Sequence, residues 1–279
     1  MTKTQCHTCP AHCELDEGQI GACHARVNRE GHVTAENYGR ITGFALDPVE
    51  KKPFARWMGG SYLLSVGSYG CNLHCPFCQN DDISQVGADD VRWRSLSPEQ
   101  LVEQALDLRN RGNIGIAYTY NEPLVGWEFV SDCAQLAHDA GLLNAVVSNG
   151  CIEPGLFAQL LPLFDAVNID LKAFNEEFYR ACGMPTGLDA IKTNIAAAAA
   201  CPTCHVEVTT LFVGGMSSTD DVRAAGAWLA ELDRSIPYHI SQYHPAYRWD
   251  APPAPNSTLR ALIEELRGTL DTVVGGNMW

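Results

Sequence analysis

Short apolar runs alternate with amphipathic segments along the chain from residue 61 onwards. The run YLLSVG at 62–67 is brief and apolar, which is typical of a buried strand. The segment that follows at 97–112 opens with Ser97 as an N-cap and Pro98 at the first helical position, and its apolar residues share one helical face. This stretch therefore predicts a buried strand followed by a surface helix.

The same alternation recurs along the rest of the chain. Further strands are predicted at 114–119, 143–148, 166–171, 205–212 and 238–243, with a last short one at 272–276. Helices are predicted at 123–141, 153–163, 175–182, 188–200, 218–233 and 257–270. Six such units fall short of a closed eight-unit barrel. The pattern predicts an α/β fold, a partial (β/α)6 TIM-like barrel, with a doubly wound sheet as the runner-up.

Composition narrows the classes of function. The chain has 279 residues, 46% of them hydrophobic, and no apolar run of the ~18 residues that a membrane span needs. The formal net charge of −14 disfavours a nucleic-acid partner. The N-terminus has no hydrophobic signal region, and the twelve cysteines are typical of reduced thiols that serve metal or redox chemistry. A cytoplasmic protein without membrane attachment is expected.

Polar or glycine-rich residues follow each of the first six predicted strands. The six exits read GSYGCNLHCPFCQN, YNEP, SNG, NIDLK, GGMSS and HPAYR in chain order. Parallel α/β folds bind their ligands at the carboxyl ends of the strands. The sequence therefore predicts one site to which all these segments contribute.

Cys71, Cys75 and Cys78 form the most specific motif of the chain. Zinc sites use four ligands, with a paired spacing repeated elsewhere, whereas this set is compact and follows a strand directly. Thiolates also hold [4Fe–4S] clusters, and three of them leave one iron open for a substrate or cofactor. The alternative is three buried or incidental cysteines, which the spacing and Gly70 disfavour.

The motif C-x3-C-x-aromatic-C, with Phe77 as the aromatic residue, resembles the signature of radical S-adenosylmethionine (SAM) enzymes. The resemblance implies a [4Fe–4S] cluster whose open iron chelates SAM. It also implies reductive cleavage of SAM to a 5′-deoxyadenosyl radical, which abstracts a hydrogen atom from a substrate that the motif does not identify. The segments DPVEKKPF, CPFCQN, AYTYNEP, NIDLKAF, EVTTL and YHISQYHPAY resemble the radical SAM component of the AmmeMemoRadiSam system, which is similar to pyruvate formate-lyase activating enzymes. This likeness runs from about Cys6 to Asn277.

The resemblance also implies roles for individual residues. Three cysteines would ligate the cluster, and nine other positions would contact SAM. The cluster ligands are Cys71, Cys75 and Cys78, and the SAM contacts are Phe77, Tyr120, Asn121, Glu122, Ser148, Asn149, Asp170, Lys172 and His244. The segment at 120–123 stands where the family has a GGE motif and lacks both glycines.

Several of these positions have a simpler interpretation. Glu122 would cap a helix that begins at Pro123, and Asp170 and Lys172 would form a salt bridge at the barrel rim. Asn149 begins a common turn dipeptide, and His239 and His244 would be ordinary hydrogen-bonded histidines, the structural interpretation that is preferred for His239.

The remaining nine cysteines are four near the N-terminus and five later in the chain. The N-terminal segment, residues 1–40, has too few apolar residues for a core of its own and needs a metal or another cross-link to fold. It contains Cys6, Cys9, Cys13 and Cys23. Four thiolates would close a zinc or iron–sulfur site, with His7, His12 and His24 as substitutes, and the alternative is four free thiols. Residues 41–279 would form the barrel. Cys201 and Cys204 precede the fifth strand, at the end of the barrel opposite the chemistry, and would be structural or incidental, with a C-x2-C redox or metal role as the alternative. Cys133, Cys151 and Cys182 would be small core or surface residues, with an approach of Cys182 to the site on its loop as the alternative.

The function that follows is a radical SAM enzyme. One alternative activates a glycyl radical enzyme, and a non-enzymatic alternative is an iron–sulfur electron carrier or a zinc-binding interaction module. The resemblance implies an electron donor such as flavodoxin or ferredoxin. It further implies Memo-like and AMMECR-type protein partners.

Overall fold

The computed structural model describes residues 3–278. The strands in this range are β1 (Thr4–Gln5), β2 (Glu14–Leu15), β3 (Arg26–Arg29), β4 (His32–Ala35), β5 (Arg40–Ile41), β6 (Gly43–Pro48), β7 (Tyr62–Gly67), β8 (Arg94–Ser95), β9 (Asn113–Tyr118), β10 (Leu143–Ser148), β11 (Ala166–Asp170), β12 (His205–Phe212), β13 (Tyr238–Gln242) and β14 (Val273–Gly276). The α-helices are α1 (Asp81–Ser84), α2 (Pro98–Asp107), α3 (Trp127–Asp139), α4 (Pro154–Leu160), α5 (Glu176–Ala181), α6 (Leu188–Ala199), α7 (Thr219–Leu232) and α8 (Asn256–Leu266). None of the helices in the described range is long and apolar enough to cross a bilayer.

An eight-stranded sheet carries the fold, in the order β14-β13-β12-β11-β10-β9-β7-β6. All neighbours pair in parallel except β6, which runs antiparallel to β7 at one edge. The parallel strands follow the chain in one direction without a reversal, so the doubly wound alternative is wrong. Among the described strands, β6 and β14 are not paired with each other, and the expected open, partial (β/α)6 barrel is confirmed.

The predicted strands and helices match the observed ones closely, with local differences at helix ends. Ser97 caps α2 through a capping box with Gln100, as its sequence predicts. The helix predicted from residue 123 begins as a 3₁₀ turn over Pro123–Gly126 before α3 starts. The helix predicted at 153–163 ends in a second 3₁₀ turn, Leu161–Leu163, which contains Pro162.

Small side chains on the inner face of the sheet make room for a segment that fills the barrel. Ala117, Ala145 and Ala166 line this face on adjacent strands. The chain at 49–57, which links β6 to β7, packs Phe54 and Trp57 against them. One end of the open barrel is therefore closed by this segment, which the apolar pattern of the sequence did not predict.

Glu207 on β12 anchors the filling segment. Its buried carboxylate accepts the backbone N–H of Ala55 at 2.8 Å and that of Arg56 at 2.8 Å. It also contacts His205 Nε2 at 2.8 Å and His239 Nε2 at 2.5 Å. The structural interpretation of His239 is confirmed. Burial opposes the charge of Glu207, but these four contacts outweigh it and lower its pKa to about 2.

Glu207→Gln is expected to destabilise the metal-free protein. A pKa lowered from 4.5 to about 2 corresponds to about 3 kcal/mol of stability at neutral pH. This contribution is present above the unfolded pKa of 4.5 and is lost as pH falls towards about 2. In urea unfolding, the gap between wild type and variant should be about 3 kcal/mol near pH 7 and roughly half that near pH 3. Glu231→Gln on the exposed side of α7 is the matched control, and a gap that does not change with pH would contradict the expectation.

Candidate functional site

The residues that follow the parallel strands enclose a cavity of about 490 Å³ at the carboxyl end of the sheet. Nearly all of the predicted site residues form part of its wall. These are Cys71, Cys75, Phe77, Cys78, Tyr120, Asn121, Glu122, Ser148, Asn149, Asp170 and Lys172. His244 lies beside the cavity, where its Nε2 is 2.9 Å from the carbonyl oxygen of Asn277, a residue of the wall.

The cysteine loop leaves β7 through a glycine that no other residue could replace without strain. Gly70 has φ +86°, and a Cβ atom there would stand 2.4 Å from the carbonyl oxygen of Cys23. Asn121 holds the same loop, since its Oδ1 accepts from Ser68 N–H at 3.0 Å and its Nδ2 donates to the Gly70 carbonyl at 2.9 Å. Asn121 therefore positions the cysteine loop in addition to lining the cavity.

Each cysteine of the loop has a polar neighbour. Asn149 Nδ2 lies 3.7 Å from Cys71 Sγ, and Ser84 Oγ lies 3.1 Å from Cys78 Sγ. Burial raises the pKa of the Cys71 and Cys78 thiols. A hydrogen bond from the Cys182 thiol lowers the pKa of Cys75. Cys182, which follows α5, is a buried core residue and also lies against the cysteine loop, where its carbonyl oxygen accepts from His74 N–H at 2.7 Å, so both interpretations of this cysteine hold.

Glu122 is fully buried in the cavity wall and connects two strand exits. Its carboxylate accepts from Leu124 N–H at 3.0 Å, from Ser148 Oγ at 2.8 Å and from Asn149 N–H at 2.7 Å. Burial raises the pKa of Glu122 to about 7, although these hydrogen bonds favour the charged form. The capping contact that the simpler interpretation required is present, and Glu122 also lines the cavity, as a ligand contact would require.

Asp170 and Lys172 form an ion pair at the end of β11, as the salt-bridge interpretation expected. Burial opposes the charge of Lys172, yet the carboxylate of Asp170 outweighs it and raises the pKa of the lysine well above its usual range. The second carboxylate oxygen, Asp170 Oδ1, is buried and has no hydrogen-bond partner among residues 3–278. Because an unpaired buried acceptor is costly, a ligand donor at this position would stabilise the site.

The donor set fits an iron–sulfur cluster with one open iron. Within residues 3–278, no group of three or more His, Cys, Asp or Glu side chains is arranged to hold a single metal ion. A [4Fe–4S] cluster differs from a single ion, because its thiolates bind separate iron atoms and stand further apart. Three thiols in one cavity wall, with an unpaired acceptor and a lysine beside them, match a cluster together with a charged small molecule.

The N-terminal cysteines surround a second, much smaller cavity of about 20 Å³. Cys6, Cys9, Cys13 and Cys23 all line it, together with Asn72 of the cysteine loop. Burial raises the pKa of Cys9 to about 12 and that of Cys23 as well, so these thiols are protonated without a metal. The carbonyl of Cys23 accepts from Cys71 N–H at 3.1 Å, which joins this segment to the cysteine loop.

Lys51 and Lys52 also line the main cavity, although sequence reasoning assigned them no role. They lie in the motif DPVEKKPF, between β6 and β7, and not after a strand. The sequence signal that could have identified them is the pair of adjacent lysines, four and five residues after Asp47. Cys201 and Cys204 precede β12, at the other end of the sheet from the cavity, as expected.

Comparison with known proteins places the site in context. The model of the radical SAM superfamily matches residues 65–225. An uncharacterized protein of Methanocaldococcus jannaschii is 38% identical over 261 residues, which cover 92% of this chain and 76% of the relative. The pyruvate formate-lyase-activating enzyme of Clostridium pasteurianum is 25% identical over 114 residues, which cover 40% of this chain and 46% of that enzyme.

A solved structure supports the fold. The crystal structure of Streptococcus suis SuiB bound to S-adenosylmethionine aligns with a TM-score of 0.59 at 11% identity. The alignment covers 77% of this chain and 52% of SuiB. This chain therefore matches about half of the length of SuiB and of the clostridial enzyme.

Proposed function

Because the chain belongs to the radical SAM superfamily, we propose that it cleaves S-adenosylmethionine reductively at a [4Fe–4S] cluster and uses the 5′-deoxyadenosyl radical to abstract hydrogen from a substrate. The superfamily implies both cofactors, and the chain is an enzyme. One observation carries the proposal. The thiols of Cys71, Cys75 and Cys78 share one cavity wall with the unpaired Asp170 Oδ1 and the largely buried Lys172.

In this proposal the residues at the end of β11 bind the two charges of the amino-acid part of SAM. Lys172 donates to the carboxylate, and Asp170 Oδ1 accepts from the ammonium or from a ribose hydroxyl. Glu122, already held by Ser148 and Asn149, provides a second acceptor in the same wall. Tyr120 and Asn121 complete the segment at the end of β9, and His244 lies near the adenosyl part.

Apolar side chains keep water away from the proposed reaction. The ring of Phe77 packs at 5.6 Å from that of Phe178 and at 6.5 Å from that of Tyr243. These rings are nearly completely buried. The exclusion of water next to the cysteine loop strengthens the contacts to charged groups and protects a reactive radical from solvent. The backbone of Phe77 would lie near the adenine.

A second candidate is the activation of a glycyl radical enzyme. The similarity to a pyruvate formate-lyase-activating enzyme favours it, and in that case the substrate is a protein partner. Memo-like and AMMECR-type proteins are proposed partners on the sequence motifs alone. Either branch needs an electron donor such as flavodoxin or ferredoxin.

The effect of SAM on the reduced cluster tests the proposal against an iron–sulfur electron carrier. Because the cluster would have one open iron, adding SAM to the reduced, anaerobic protein should change its electron paramagnetic resonance spectrum. A carrier with a fully ligated cluster gives the same spectrum with and without SAM, and a zinc-binding module gives no spectrum.

We further propose that residues 1–40 form a metal-binding segment next to the barrel of residues 41–279. All four N-terminal thiols line one small cavity, which supports a closed zinc or iron–sulfur site. A single zinc ion would have to draw the thiols closer together, because they do not surround a single-ion position in this structure. Because Cys9 and Cys23 are buried as neutral thiols, metal binding at these two residues must release protons.

A variant without the catalytic cysteines should therefore keep some metal. Cys71, Cys75 and Cys78 are replaced together by alanine, and iron and zinc per chain are measured by mass spectrometry after reconstitution. The expected result is a residual metal that disappears when Cys6 and Cys9 are also replaced. A triple variant that binds neither iron nor zinc would show that the N-terminal cysteines are not a separate site.

A further inference from the structure

Lys52 is a buried cation in the wall of the main cavity. Its side chain is only 4% exposed, and its Nζ lies 2.7 Å from Asp47 Oδ2. The ammonium also stands over the ring of Tyr120, 4.5 Å from the ring centre. Lysine is almost never buried to this degree without a specific role or partner.

The chain is built to hold Tyr120 in this position. Tyr120 has φ +75°, which is unfavourable for a bulky residue, and its OH donates to Asp47 Oδ2 at 2.8 Å. Glycines at 43 and 67 leave room for the ring, since a Cβ at Gly43 would stand 3.0 Å from Tyr120 Cδ2 and one at Gly67 2.9 Å. Two glycines and a strained backbone therefore fix the surroundings of the Lys52 ammonium.

The charges around Lys52 do not cancel. Asp47 is shared, because Lys51 Nζ lies 2.7 Å from its Oδ1 while Lys52 Nζ contacts its Oδ2. Two ammonium groups thus face one carboxylate, which leaves one positive charge in excess. An ammonium has three donors, and the contact with Asp47 uses one of them.

This excess charge lies apart from Asp170 and Lys172, the proposed contacts to the charged amino-acid part of SAM. Lys52 contacts Tyr120 at the exit of β9, whereas Asp170 and Lys172 lie at the end of β11, two strands further along the sheet. Neighbouring strands are about 4.8 Å apart, so the two positions are separated by roughly 10 Å. One cavity therefore has two charged ends.

We propose that Lys52 binds an anionic group of the substrate, a carboxylate or a phosphoryl group, opposite the end of the cavity assigned to SAM. The inference rests on the proposed function for the identity of the other end. Asp47 and Tyr120 act as positioning residues, since they hold the ammonium in the wall. The substrate is accordingly an anionic molecule or segment whose negative group reaches Lys52.

Isothermal titration of small anions tests this assignment. The reconstituted, SAM-saturated protein is titrated separately with inorganic phosphate and with acetate, at constant ionic strength. Loss of a charge-assisted contact in Lys52→Met should weaken binding by at least about 10-fold. Lys192→Met on α6 is the matched control, because it removes the same charge from a lysine that does not line the cavity. It should change the affinity by less than about 2-fold.

The outcomes separate the inference from the proposed function. Binding of phosphate alone indicates that the substrate carries a phosphoryl group, and binding of acetate alone indicates a carboxylate. In either case Lys52→Met should lose the anion binding and keep its affinity for SAM. If wild type binds neither anion, or if Lys52→Met binds them as well as wild type does, Lys52 is not an anion site. A loss of SAM affinity in Lys52→Met would instead assign Lys52 to SAM. Failure of wild type to bind SAM overturns the proposed function and leaves the anion titrations readable.

A folding control completes the experiment. If Lys52→Met loses its circular dichroism spectrum, the double variant Asp47→Asn/Lys52→Gln takes its place. This variant removes both charges of the pair together, so it leaves no unpaired buried carboxylate. The same loss of anion binding is expected from it.

Discussion

Replacing Cys75 with alanine is expected to abolish the cleavage of SAM while leaving the fold intact. Cys75 lies on a loop that follows β7 and lines the cavity, outside the segment that fills the barrel. Removing its thiolate leaves two ligands in the loop, too few to hold a [4Fe–4S] cluster. The measurement is the yield of 5′-deoxyadenosine under reducing, anaerobic conditions, with circular dichroism as the test of fold.

Two further variants make this result specific. Cys201→Ala removes a cysteine at the other end of the sheet and should retain full yield. Cys182 lies against the cysteine loop, and its thiol is hydrogen-bonded to Cys75. Cys182 is therefore the cysteine best placed to replace Cys75 as a ligand. If Cys75→Ala keeps a residual yield, Cys75→Ala/Cys182→Ala should remove it. A wild-type yield from that double variant would contradict the cluster assignment.

Lys172→Met is expected to weaken SAM binding by about 10- to 150-fold, the equivalent of one charge-assisted hydrogen bond of roughly 1.5–3 kcal/mol. The side chain of Lys172 is 12% exposed in the cavity wall and is paired with Asp170, so the ligand carboxylate would approach an ammonium that is already fixed. The cluster should remain, because Lys172 is not one of its ligands. Isothermal titration of SAM and the visible absorbance of the cluster measure the two effects separately.

The salt-bridge interpretation of Lys172 makes a different prediction. The variant would leave the Asp170 carboxylate unpaired and would lose stability, while its affinity for SAM would stay unchanged. Lys192→Met, on the outer helix α6, is the control for removal of a lysine elsewhere. An unchanged dissociation constant in Lys172→Met, with the cluster present, would mean that this lysine does not bind SAM.

The parallel strands and the convergence of their exits followed from the sequence. Buried parallel strands are short continuous apolar runs, and the runs at β7 and β9–β13 stand out against the polar segments around them. Sequential βα units place all carboxyl ends on one rim. The grouping of Glu122, Ser148 and Asp170 in one cavity wall needed no further information.

The segment that fills the barrel and the second charged end of the cavity could not be predicted from the sequence. β6 pairs antiparallel at a sheet edge, and the chain after it enters the barrel because Ala117, Ala145 and Ala166 leave space there. Small residues on a strand do not indicate which distant segment will occupy that space. The burial of Lys52 depends on this tertiary packing. The sequence alone would place this lysine pair in a solvent-exposed turn, whereas in the structure it lies in the cavity wall.

The formation of 5′-deoxyadenosine by the wild-type protein tests the central claim most directly. The protein is reconstituted anaerobically with iron and sulfide, reduced with dithionite and incubated with SAM, and the products are separated by liquid chromatography. The expected result is 5′-deoxyadenosine that accumulates only when the cluster, the reductant and SAM are all present. A protein that carries its cluster on Cys71, Cys75 and Cys78 and binds SAM, yet forms no 5′-deoxyadenosine, would contradict the proposed chemistry.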